Sequence, residues 1–302
     1  MNMSVNIAGV EWKNPVTTAS GTFGSGREFA DFFDISELGA ITTKGVSSKP
    51  WEGNPVPRIA ETSSGVLNSI GLQNGGVDRF IEKDLAYLKT VDTNVIVNVC
   101  GHTVPEYLEV VEKLSDEEAV DMLEINVSCP NISEGGMAFG TTTEGITEIT
   151  KAVKEKSKKP VILKLSPNVA DISEIGKAAE AAGADALSMV NTFLATFIDI
   201  RSRKFFLANK TGGLSGPAIK PIAVRMVYET AKAVDIPIIA MGGIMSGAEA
   251  VEFMLAGASA VAVGVANFRY PKVTRQVIRE IGEYMEEQGF EDVSEITKGL
   301  IE

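Results

Sequence analysis

Eight short, continuously apolar, β-rich runs recur along the whole chain, at residues 16–19, 40–44, 94–99, 122–126, 161–165, 186–191, 238–241 and 260–264. Runs of this kind suit parallel strands buried on both faces, since a strand with one wet face alternates instead. Helical patterns lie between most of them. Ser246 with Glu249 forms a capping-box pair, Val251, Met254 and Leu255 mark one face, and Gly257 supplies the stop. Asp171 with Glu174 and Thr103 with Glu106 open two more helices in the same way. The alternation predicts an α/β chain: a (β/α)8 TIM barrel with inserted loops at its C-terminal face, one domain over residues 1–302. A doubly wound open sheet is the alternative, but it does not need eight strands in this order.

Two spacings exceed a simple crossover: Lys44 to Asn94, and Asn191 to Ile238. The first holds residues 45–76, rich in Gly, Pro, Ser and Asn. The second holds 192–216, with Arg201, Arg203, Lys204 and Lys210. Both insertions leave the C-terminal end of a strand, which in a barrel is the face that carries the active site.

Charge narrows the partners. The 28 basic and 40 acidic residues leave a net charge of −12, against the basic surface that nucleic acid demands. Nor does any uninterrupted apolar run reach membrane-spanning length; the nearest, 251–268, is broken by Glu252 and glycines. The N-terminal residues lack the basic and apolar regions of a signal peptide, so a cytoplasmic setting is expected. Only two cysteines occur, Cys100 and Cys129, too few for a disulfide framework or an iron–sulfur cluster.

The chemistry must then come from strand ends. The one histidine, His102, has no partner at a metal or triad spacing, and no Rossmann or Walker phosphate fingerprint is present. Gly242-Gly243 and Gly264 follow strands seven and eight, where barrels bind phosphate through backbone N–H groups, or where they serve only as turn glycines. Lys44 closes strand two and Lys164 lies inside a buried run. Burying Lys164 calls for compensation by an anionic ligand, an electron-rich ring or a carboxylate within the barrel. Asn98, Asn126 and Asn191 all end strands, and their amides suit a ring edged with carbonyl and N–H groups. Cys129, just past strand four, is either a structural thiol or a tuned base or nucleophile.

These segments together resemble the dihydroorotate dehydrogenases, specifically the class 1B catalytic subunit of the NAD-linked bacterial enzyme. The marks run through the whole chain: Ala19-Ser20-Gly21-Thr22-Phe23-Gly24, Thr43-Lys44-Gly45-Val46, Gly53-Asn54-Pro55-Val56-Pro57-Arg58, and Asn68-Ser69-Ile70-Gly71-Leu72-Gln73-Asn74. They continue with Asn126-Val127-Ser128-Cys129-Pro130-Asn131, Lys164-Leu165-Ser166-Pro167-Asn168, Gly212-Gly213-Leu214-Ser215-Gly216 and Gly242-Gly243-Ile244. The resemblance implies FMN at the barrel mouth and oxidation of (S)-dihydroorotate to orotate in pyrimidine (UMP) biosynthesis. It makes Cys129 the base that removes the C5 proton while hydride passes from C6 to FMN N5.

By position, Ser20, Lys44, Gly45, Asn98, Asn126, Lys164, Val190, Gly216, Gly242, Gly243, Gly264 and Val265 would line the flavin. Lys44, Asn68, Ser69, Ile70, Gly71, Leu72, Asn126, Asn191 and Thr192 would hold the substrate. Lys164 suits the N1–O2 side of the flavin, where a cation stabilises the charge formed on reduction. Electrons would pass to NAD through a partner subunit carrying FAD and [2Fe–2S], in a heterotetramer built on a homodimer of catalytic subunits. A fumarate-linked dihydroorotate dehydrogenase, another dihydropyrimidine-oxidising flavin barrel and a non-enzymatic flavin-binding barrel are the competing readings. Two departures stand out: Val265 where the family often has Thr, and Gly75 where it often has Pro, which predicts a looser loop.

Overall fold

In the computed structural model, residues 1–127, 139–297 and 299–301 are described. Eight strands form one parallel sheet: β1 (Val16–Thr18), β2 (Ala40–Thr42), β3 (Asn94–Val99), β4 (Met122–Asn126), β5 (Val161–Lys164), β6 (Ala186–Met189), β7 (Ile238–Ala240) and β8 (Ala260–Val263). Each strand from β2 to β8 pairs with the next, and β8 pairs with β1. The seam between β1 and β2 closes without a ladder. Gly39 N–H donates to Val16 O at 3.0 Å, and Thr18 Oγ1 accepts from Thr42 N at 3.1 Å and donates to Thr42 O at 3.3 Å. The result is the expected barrel.

The seam forces two backbones together. A Cβ at Gly39 would stand 2.0 Å from Asn14 O, and a backbone atom cannot step aside. Gly39→Ala is therefore expected to cost about 3 kcal/mol of stability by overpacking, read as a lower denaturant midpoint at unchanged slope. A wild-type midpoint would show the seam to be pliable.

The helices that follow β3 to β8 turn an apolar stripe inward, as Val110, Val111 and Leu114 do on Val104–Ser115, and Val277, Ile281 and Met285 on Val273–Gln288. The β2 crossover ends in a helix with a π-helical centre, Phe80–Leu85. The β1–β2 crossover departs from the eightfold expectation. It carries a short 3-10 turn, Ile35–Glu37, and the stacked rings of Phe23 and Phe29, 4.1 Å apart, fill the helix's place. Gly21, Gly24 and Gly26 take positive φ there, which ends any helical run.

Capping is also less uniform than the sequence pattern suggests. Asp171 does cap its helix, accepting from Ser173 N and Glu174 N. Ser246 instead bonds the Glu249 carboxylate, and Glu280 on the Val273–Gln288 helix takes Gly247 N–H at 2.5 Å. Glu106 reaches back to His102 N rather than to Thr103.

An N-terminal hairpin, Val5–Ile7 with Val10–Trp12, sends Ile7 and Trp12 into a cluster with Ile96, Met122, Ile162 and Ala260 at the N-terminal end of the barrel. The opposite end is covered by the two insertions, which join as one antiparallel sheet. Its order is Phe193–Thr196, Thr211–Ser215, Gly65–Asn68, Ile59–Thr62, with Gly213 opposite Asn68. Among the described residues, no helix is long and apolar enough to cross a membrane.

Candidate active site

The strand register places polar residues of neighbouring strands side by side at the mouth. Asn98 on β3 lies opposite Glu124 on β4, Asn126 lies opposite Lys164 on β5, and Lys164 lies opposite Ser188 on β6. Glu124 ties them together. Its Oε1 accepts from Asn98 Nδ2 at 2.5 Å and from Lys164 Nζ at 3.3 Å, and its Oε2 accepts from Ser188 Oγ at 2.7 Å. Lys164 is thus compensated by a carboxylate inside the barrel, one of the three compensations its burial allowed. Glu124 itself escaped the sequence reading because it sits mid-run in Met122-Leu123-Glu124-Ile125; a single charge in such a run was the available signal. Asn98 Oδ1 is fully buried and has no partner among the described residues. Such an orphan leaves an acceptor open to a donor at the mouth.

Lys44 is half-buried, and no carboxylate lies within ion-pair reach of it among the described residues. Burial first, and the Arg58 guanidinium second, hold its pKa below the ordinary lysine value, while Cys100 pulls the other way. Arg58 is itself anchored on Gln73 Oε1 at 2.6 Å. Two cations together, in an acidic chain, make a local anion site. Gly45 follows Lys44 beneath the same mouth; a Cβ there would lie 3.0 Å from Asn98 Oδ1 and 3.6 Å from Leu72.

The substrate-loop residues are held by amides. Asn54 Nδ2 donates to Ser69 O and Oγ, both at 3.1 Å, and Asn54 N donates to Ile70 O. Gly71 and Leu72 both take positive φ, and Asn74 Nδ2 donates to Leu72 O at 2.8 Å. Asn74 Oδ1 also accepts from Ser47 Oγ at 2.9 Å and Gly76 N at 2.8 Å, so the loop with Gly75 is clamped rather than loose. Asn68 reaches Gly213 O, but only at 3.5 Å. Across the mouth, Asn191 Nδ2 donates to Asn126 Oδ1 at 3.3 Å, and Thr192 N donates to Asn191 Oδ1 at 2.7 Å.

The glycines past β6, β7 and β8 are closely packed. Gly243 presses on Gly216: a Cβ on it would lie 2.8 Å from Gly216 O. Val265 sits 3.6 Å from where a Gly216 Cβ would be, and Val190 3.7 Å from where one on Gly242 would be. Gly264 adjoins Ala19, the residue before Ser20, whose N–H donates to Val263 O.

Cys129 lies outside the described residues, as does Ser128. The segment's flanks are tied, since Gly140 N–H donates to Val127 O at 3.1 Å just past β4. His102 stacks on Trp51 at 4.1 Å and lies 3.5 Å from Glu106, a local packing role. Cys100 is buried behind Gly45.

The chain is similar to known proteins over nearly its full length. The family model described as dihydroorotate dehydrogenase matches residues 2–285. A protein of Lachnoclostridium phytofermentans is 62% identical over 296 residues, 98% of either chain. One of Alkaliphilus metalliredigens is 59% identical over 300 residues, 99% of either chain. One of Geobacter metallireducens is 54% identical over 299 residues, 99% of this chain and 98% of the other. All three bear the name dihydroorotate dehydrogenase B (NAD(+)), catalytic subunit. This barrel, with its lysines and asparagines gathered at one end, belongs to the dihydroorotate dehydrogenase family of oxidoreductases.

Proposed function

We propose that residues 1–302 form one FMN-binding barrel that oxidises (S)-dihydroorotate to orotate, as the catalytic subunit of an NAD-linked enzyme. The observation that carries the substrate is Lys44, a half-buried cation beside Arg58 with no carboxylate at hand among the described residues. It suits the substrate's carboxylate. Asn126, Asn191 and Thr192, with the loop from Asn68 through Leu72, offer amide and backbone groups to the ring's alternating carbonyl and N–H edge.

The residues fit FMN on three counts. Asn98 Oδ1 is buried and lacks a donor, Lys164 brings a cation to the mouth, and Gly216, Gly243 and Val265 pack closely together, where backbone N–H groups would meet the phosphate. Ser20, Gly45, Val190, Gly242 and Gly264 would complete the lining. When bound, FMN supplies the acceptor for the hydride leaving C6. Cys129, through its place in the Asn126–Asn131 motif, is the base for the C5 proton; Lys44 fixes the carboxylate so that C5 and C6 are held in register. Orotate formation by the purified chain with an artificial electron acceptor tests this reading, and none would contradict it.

Passing electrons to NAD needs more than this chain holds. It has no dinucleotide fingerprint and two cysteines, against the four an iron–sulfur cluster takes. The relatives are themselves named as catalytic subunits. A partner subunit with FAD and [2Fe–2S], joined to a homodimer of this chain in a heterotetramer, completes the path in the cytoplasm. The chain alone is accordingly expected to reduce an artificial acceptor but not NAD. Robust NAD reduction without a partner would remove the partner from the account.

A further inference from the structure

One buried carboxylate oxygen holds two of the polar groups that end strands at the mouth. Glu124 Oε1 accepts from both Asn98 and Lys164, while Ser188 occupies Oε2. The Glu124 and Lys164 side chains are only 3% and 5% exposed.

An ionised carboxylate accepts and never donates. Whatever faces Glu124 must therefore present hydrogens. The Asn98 amide has two ends, and only its NH2 end can face that oxygen. Its Oδ1 is thereby turned away as an acceptor, and it is this atom that is buried without a partner among the described residues. The orientation is thus dictated by chemistry. A ligand meeting Oδ1 must bring a hydrogen, and a ring of the flavin type has one ring nitrogen that carries hydrogen when oxidised, N3.

We propose that Glu124 is a positioning residue of the flavin site: it locks Asn98 so that Oδ1 receives the flavin N3–H. This rests on the FMN reading above. It assigns Glu124 a role in choosing the ligand, beyond neutralising Lys164.

The test strips the full-length chain of flavin and titrates it with FMN and with 3-methyl-FMN, in which the N3 hydrogen is replaced. The wild type is expected to prefer FMN by about tenfold, the worth of one buried hydrogen bond. In Glu124→Gln the new side chain can present either an acceptor or a donor, so Asn98 is free to turn, and the preference falls below about threefold. Asn98→Ala loses the same preference with the carboxylate untouched, and Glu124→Asp, still an acceptor only, keeps it.

A carboxylate that merely packs the barrel would weaken both flavins alike. A Glu124→Gln or Asn98→Ala protein with the wild-type ratio, or a wild type without preference, overturns the proposal. The substrate ring also has an N–H flanked by carbonyls, so orotate binding to the FMN-loaded Glu124→Gln protein is the second arm. It is expected within about threefold of wild type; a tenfold loss there with the flavin ratio intact would hand Oδ1 to the substrate and overturn the assignment. A chain that binds no FMN at all would instead defeat the flavin reading itself.

Discussion

Replacing Cys129 with serine is expected to lower dihydroorotate turnover by about 10²–10⁴-fold while the protein stays yellow, the range one positioned proton-transfer group contributes. The chemistry decides the size. A cysteine thiol ordinarily titrates near ~8.5 and is readily tuned downward. A serine hydroxyl holds its proton far more firmly, so it is a poor base near neutrality. Serine is nearly the same size, so flavin retention should not change. The segment that carries residue 129 leaves β4 at Asn126, the residue that also meets Asn191 across the mouth. Turnover within about threefold of wild type, measured with an artificial acceptor, would exclude Cys129 as the base.

Lys44→Met is expected to raise KM for dihydroorotate by about 10–100-fold, since a hydrogen bond to a charged group is worth ~1.5–3 kcal/mol. The pH dependence adds a second signature. Only the protonated amine binds the carboxylate. Burial, helped by Arg58, lowers the Lys44 pKa below its ordinary value, so protonation is lost at a lower pH than for a surface lysine. Orotate affinity is thus full below the Lys44 pKa and falls as pH rises through it. A bound carboxylate opposes the shift and raises that pKa again. In Lys44→Met this alkaline fall should vanish. A variant with unchanged KM and the same alkaline limb would place the substrate carboxylate elsewhere.

Much of the architecture was legible because its signals are local. Runs such as Val161-Ile162-Leu163-Lys164-Leu165 suit strands buried on both faces, and all eight fall where barrel strands stand. Their ends are shorter than the apolar runs, as at Val190 and Asn191, because the strand stops where the backbone turns into the mouth. The sheet over the mouth was not legible. Gly213 and Asn68 pair across 145 positions, and Thr211-Gly212-Gly213 has no strand pattern of its own. The missing first helix follows from the glycine-dense stretch, in which Gly21, Gly24 and Gly26 take positive φ.

At the site, individual polar residues could be picked out at strand ends, but not which of them meet. Lys44 and Lys164 look alike in the sequence. Lys164 is paired to Glu124, whereas Lys44 has no carboxylate within ion-pair reach among the described residues. The difference depends on a carboxylate two strands away from β2. Asn98 and Asn126 likewise part company: one amide is locked by Glu124, the other faces Asn191. Such pairings are properties of register around a closed sheet.

In the proposed function this mouth holds FMN, which takes the C6 hydride of dihydroorotate while the C5 proton leaves to Cys129. The visible spectrum of the purified chain, recorded without oxygen before and after adding dihydroorotate, tests it most directly. The expected spectrum is a flavin absorption that bleaches on addition of the substrate. A colourless protein after reconstitution with FMN, or a yellow one that dihydroorotate leaves unbleached, would contradict it.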